Sequence, residues 1–107
     1  MIPAPFEEVW RRVARWDARP TVRIPIAAPG AVETVSRSLT SFADGGDVLV
    51  DSPRMSPRPS RFKARELAAV VGIHRGALEF VVARAERPGS FWAVIEAEYE
   101  NLIFEDA

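Results

Sequence analysis

Apolar positions follow a helical period near the start of the chain. Phe6, Val9, Trp10, Val13 and Trp16 fall at i, i+3, i+4, i+7 and i+10, one stripe that predicts a helix over residues 6–16. Glu7 and Glu8 stand in its first turn and Arg11, Arg12 and Arg15 further on, an order that complements the helix dipole. Pro3 and Pro5 are tolerated at or before its start, and Pro20 prevents continuation beyond Arg19. Trp10 and Trp16 are read as sealing this helix to the body.

Beyond Pro20 the pattern shortens to that of strands. Thr21 to Ile26 places Val22, Ile24 and Ile26 on one face, and Pro29-Gly30 marks a turn. Val32 to Phe42, rich in Val, Thr and Ser, is predicted as a strand with one solvated face. Asp44-Gly45-Gly46-Asp47 reads as a hairpin turn, and Val48 to Val50 as a short buried strand. Pro53, Pro57 and Pro59 exclude an interior strand over 52–60 and predict an exposed, extended loop. Phe62 to Ile73 is expected to resume β structure, with Arg65–Ala69 able to form a short helical turn. Residues 74–76 form a tight connection. Ala77 to Ala85 alternates, Leu78, Phe80 and Val82 against Glu79 and Val81. After a turn at Arg87-Pro88-Gly89, residues 91–99 form a last strand that continues or bends toward Phe104.

The sum is a mainly β fold: an N-terminal helix followed by a six-stranded antiparallel sheet, expected to curl into a small or split β-barrel. It forms a single domain over 1–107, with the helix at about 6–16 and the barrel at about 21–104, consistent with 107 residues.

Composition narrows the function classes. Apolar residues at 48% and charged residues at 27% argue against a disordered chain. A net charge of -1 argues against general nucleic-acid binding. The absence of cysteine removes disulfides, thiolate zinc sites and thiol catalysis and fits a cytoplasmic protein. The start of the chain lacks the pattern of a signal peptide. No apolar run approaches the ~18 residues of a membrane span, so membrane insertion is not expected. Charge is unevenly placed, however. Arg54, Arg58, Arg61, Lys63 and Arg65 follow one another without an acid, and Glu96, Glu98, Glu100, Glu105 and Asp106 without a base. These runs are read as two solvated surfaces able to face one another.

Catalytic signatures are missing. His74, the single histidine, precedes Arg75-Gly76 and reads as a turn residue. The chain contains no HExxH, GxGxxG, P-loop or GxSxG pattern. Glu96 and Glu98, about 7 Å apart at Cα on a strand, have a spacing that glycoside hydrolysis could use, but are read as an outer charged face. The chain is therefore expected to be no enzyme, with no metal and no cofactor. The most specific local feature is the loop with two RxxxR pairs, Arg54 with Arg58 and Arg61 with Arg65. Guanidinium groups offer a planar fork to phosphate, and the prolines lower the ordering cost of binding. Arg54, Arg58, Arg61 and Arg65 are thus the candidate ligand-binding residues. The alternative is a stiff loop that protects a sheet edge.

Four segments carry a family resemblance: Ser36-Arg37-Ser38-Leu39, Val48-Leu49-Val50-Asp51-Ser52-Pro53, Phe62 to Ile73, and Gly76-Ala77-Leu78-Glu79-Phe80-Val81-Val82. Together they resemble the N-terminal, YcgR-type barrel that accompanies PilZ domains in bacterial flagellar-brake proteins. The resemblance covers under half of the chain and rests on strand and turn patterns. It implies a bacterial cytoplasmic signalling role, with another protein as the expected partner. PilZ domains bind cyclic di-GMP through an RxxxR stretch and a later (D/N)xSxxG motif. Here no such second motif follows, so cyclic di-GMP binding would be non-canonical at most. Two alternatives stand beside this regulatory, protein-interaction reading. One is a nucleotide or anion binder using the Arg54–Arg65 loop. The other is a small helix-grip ligand carrier, because Ala4-Pro5-Phe6-Glu7-Glu8-Val9-Trp10 resembles the opening of that family.

Overall fold

The computed structural model describes residues 4–14 and 19–106. Helix α1 spans Ala4–Ala14 and buries Phe6 and Val13. The predicted stripe's last member, Trp16, lies outside the described residues. Strand β1 (Val22–Pro25) follows, then helix α2 (Ala31–Ala43) and strands β2 (Val48–Asp51) and β3 (Ser60–Phe62). A 3-10 turn at Ala64–Glu66 runs into helix α3 (Leu67–Ile73). Strands β4 (Phe80–Arg84), β5 (Arg87–Glu96) and β6 (Glu100–Asp106) complete the order.

The six strands form one antiparallel sheet in the order β1-β6-β5-β4-β2-β3. Among the described residues the sheet is open, with β1 and β3 as its edges, and does not close into the barrel expected from the sequence. Two segments expected as strands are helices instead, and they cover the face that a barrel would have closed upon itself. In α2 the buried positions are Ala31, Val35, Leu39, Phe42 and Ala43. Val35 and Leu39 fit both a helix and a strand, but the seven-residue step from Val35 to Phe42 fits only the helix. Asp44-Gly45-Gly46-Asp47 ends this helix rather than turning a hairpin: Asp44 is left-handed at φ 50° and its N–H donates to the Thr40 carbonyl. In α3, Leu67, Val70 and Val71 are buried, again at helical spacing.

Two further expectations shift. Residues 87–89 belong to β5, the preceding turn falling at Ala85–Glu86. The single last strand is the hairpin β5–β6, closed where the Ala97 N–H donates to the Glu100 carbonyl at 2.7 Å.

The molecule has three layers. One core lies between the sheet and α2 and α3, built on Val35, Leu39, Phe42, Phe80, Val82 and Trp92. The other lies between the sheet and α1, built on Phe6, Val13, Val81, Ala83, Leu102 and Phe104. Strand β4 contributes alternate residues to both, which explains why Phe80 to Ala83 are all buried. Antiparallel pairing places the C-terminal ends of β1, β2 and β5 at one end of the sheet. Loop 52–59, the 74–79 link after α3 and the 97–99 turn therefore share that end.

Candidate functional site

Polar groups are buried where β2 meets the proline-rich loop. Strand alternation sends Val48 and Val50 into the α2–α3 core and Leu49 toward α1. The next two residues continue that alternation as polar groups with no exposure: Asp51 on the α1 side and Ser52 on the α3 side.

Ser52 Oγ lies 2.7 Å from His74 Nε2, and His74 Nδ1 lies 2.8 Å from the Val70 carbonyl oxygen. A carbonyl only accepts, so Nδ1 carries the proton and Nε2 accepts from the Ser52 hydroxyl. Burial lowers the proton affinity of His74 below its ordinary value of 6.5; the Val70 hydrogen bond opposes this and the Arg54 charge adds to it. The imidazole ring is fully buried and sits 4.5 Å from the Phe80 ring centroid. The histidine read from the sequence as a turn residue is thus a core residue, placed one turn beyond Val70 on the buried side of α3.

Asp51 is saturated on the opposite face. Its Oδ1 accepts from Arg58 Nε at 2.9 Å and its Oδ2 from Arg58 Nη2 at 3.1 Å. Trp10 Nε1 donates to Oδ2 at 2.6 Å. A buried carboxylate is tolerated because three charge-assisted bonds replace its hydration. This contact ties α1 to the sheet, a role for Trp10 in keeping with the seal expected of it.

The four candidate arginines do not converge. Arg58 is held by Asp51. Arg61 donates through Nε and Nη2 to Asp47 Oδ2 at 3.1 and 2.9 Å. The Arg54 guanidinium donates to the Ile73 carbonyl at 3.1 Å, on the α3 side of the sheet. Arg65 is exposed in the 3-10 turn, at the far end of the sheet from Arg54. The basic and acidic runs are likewise not paired: among the described residues no ion pair joins 54–65 to 96–106.

A serine beside a neutral histidine has the composition of a nucleophile and its base. The surroundings do not supply the rest of that chemistry. Ser52 has no exposed surface, its Oγ also accepts from the Arg54 N–H at 3.2 Å, and a carbonyl rather than a carboxylate orients the ring. Neither of two surface depressions formed by the described residues touches this pair. One, of about 380 Å³, lies between α1 and β5–β6 beside Val13, Phe91 and Phe104. The other, of about 320 Å³, lies beside Asp44, Asp47 and Arg84. No cluster of three metal-ligating side chains occurs among the described residues. No helix there is long and apolar enough to cross a membrane.

The sequence singled out the loop and missed its anchors. Asp51 and Ser52 continue the β2 alternation, which was the available signal. The 22-residue separation of Ser52 from His74 left their contact invisible. Comparison with protein-family models, curated proteins and solved structures gives no match for the chain.

Proposed function

We propose that this domain is a non-enzymatic protein-interaction module whose β2 terminus holds the proline–arginine loop 52–59 in a fixed shape for presentation to another protein. The observation that carries this reading is the full burial and saturation of Asp51 and Ser52, one anchoring each face of the sheet. Groups spent on holding a loop are unavailable to a substrate, and a pre-ordered loop loses less entropy on docking. The arrangement also weighs against the loop as a nucleotide or anion site, since Arg58 and Arg61 are already paired with carboxylates and Arg65 lies at the far end of the sheet from Arg54.

The PilZ resemblance contributes less to this reading than the anchors do. Two of its four segments, 36–39 and most of 62–73, are helical rather than strands, which leaves β2 and β4 to carry it. A bacterial cytoplasmic signalling setting rests on that remainder alone. The helix-grip alternative draws on the groove beside α1, but α1 is held down by its own contacts with the sheet.

Two measurements test the proposal together. Calorimetric titration with cyclic di-GMP is expected to give no heat, and a fluorophosphonate probe is expected to leave Ser52 unlabelled. Micromolar binding of the nucleotide, or stoichiometric labelling that disappears in His74→Gln, overturns it. Capture of a binding protein by the wild type, lost with Asp51→Ala, supports it.

A further inference from the structure

Among the described residues four large apolar side chains are exposed: Val22, Ile26, Ile73 and Tyr99. Three of them share one end of the sheet. Tyr99 caps the β5–β6 turn at 75% exposure, and Ile26 lies beside it, its N–H donating to the Tyr99 carbonyl. Ile73, 49% exposed, ends α3 beside loop 52–59, where Arg54 donates to its carbonyl.

Charge divides this end into two halves. The strand order places the β5–β6 turn on one side of β4 and the end of β2 on the other. Glu96, Glu98 and Glu100 flank Tyr99 on the first side, and Arg54 and Arg75 flank Ile73 on the second. Glu96, Glu98, Arg54 and Arg75 are all exposed. Glu100 is met by Arg23 at 3.4 Å, and Glu79 stands between the halves at the start of β4.

A surface with an acidic apolar half and a basic apolar half is complementary to itself. A two-fold axis through its centre brings each half over the opposite half of a second copy and satisfies both contacts at once. We infer that this sheet end is a self-association surface: two copies pair end to end, Tyr99 with Glu96 and Glu98 of each against Ile73 with Arg54 and Arg75 of the other. The edge strands are poorer candidates. The Ile26–Tyr99 bond and the β1–β6 register turn the Pro25 nitrogen outward, and proline has no N–H to offer a partner strand. Edge β3 has only three residues.

This inference rests on the interaction-module reading but fails separately from it. Sedimentation velocity of the full chain is run at low and high salt, up to millimolar concentration. The wild type is expected to reach a closed dimer that salt weakens. Glu96→Arg with Glu98→Arg, and separately Arg54→Glu with Arg75→Glu, are each expected to raise the dissociation constant at least ~100-fold, because each places like charges opposite one another. Mixing the two variants restores opposite charges at both contacts and is expected to return a heterodimer. Arg75→Glu alone, which spares the Arg54 contact with Ile73, guards against misfolding and is expected to weaken the dimer in the same direction. A wild type that stays monomeric, variants that dimerise unchanged, open-ended oligomers, or a mixture that forms no heterodimer each overturns the inference. A monomer that still binds another protein leaves the module reading standing.

Discussion

Ser52 and Asp51 are neighbours in the chain, yet they serve opposite faces of the sheet, and their energetics differ accordingly. Ser52→Ala removes a hydroxyl donor and leaves the buried His74 Nε2 without a partner. That substitution is expected to cost about 1–3 kcal/mol in urea denaturation. Asp51→Ala leaves Arg58, whose side chain is 30% exposed, and the Trp10 indole without their acceptor. The expected loss is about 3 kcal/mol, the low end for a broken buried pair because Arg58 retains some water. Arg61→Ala breaks a surface ion pair between an exposed arginine and the half-buried Asp47 and is expected to change stability by less than ~1 kcal/mol. His74 adds a pH dependence. Its proton affinity is lower in the folded chain than at the unfolded value of 6.5, so the unfolded state binds more protons as the pH falls below that value. Stability is expected to be complete above about pH 6.5 and to decline through the acid range toward the folded pKa. His74→Gln is expected to flatten that slope below about pH 6.5; an unchanged slope contradicts the assignment.

Helix α2 is the element on which sequence and structure part. Its Val, Thr and Ser content favours strands, and tertiary packing overrides that preference. Thr40, exposed on α2, offers a test by sign. Thr40→Ala is expected to stabilise the protein by about 0.5 kcal/mol, since alanine is the better helix former; in a strand the same change would destabilise. Leu39→Ala empties a fully buried site and is expected to cost about 2–5 kcal/mol. What was legible had one period and one meaning: the α1 stripe from Phe6 to Val13, strands β1, β2 and β4, and the proline loop. Residues 62–73 were harder. Leu67, Val70 and Val71 are three apolar positions whose helical spacing only the sheet beneath them decides. The site was less legible than the fold, because arginines announce themselves by charge while Ser52 and His74 act by a contact across 22 residues.

At the scale of the whole molecule, Trp92 links the layers. It is fully buried, packs tilted against Phe80 at 5.6 Å between ring centroids, and donates through Nε1 to Ser38 Oγ on α2 at 3.0 Å. Trp92→Ala is expected to cost about 3–5 kcal/mol and to lower the thermal midpoint by more than any loop substitution. With Trp92 in the core and Trp10 bonded to Asp51, three of the four exposed large apolar side chains among the described residues, Ile26, Ile73 and Tyr99, lie at one end. A fixed loop beside that end is what an interaction surface requires, and a moving loop is what access to Ser52 would require. Amide hydrogen exchange separates the two. Arg54 N–H donates to Ser52 Oγ and Met55 N–H to the Ser52 carbonyl at 3.1 Å. Slow exchange is expected at both amides in the wild type, at least ~10-fold faster in Ser52→Ala, where ~1.4 kcal/mol of anchoring is worth a factor of ten. Fast exchange at both amides in the wild type, unchanged by Ser52→Ala, would contradict a fixed loop.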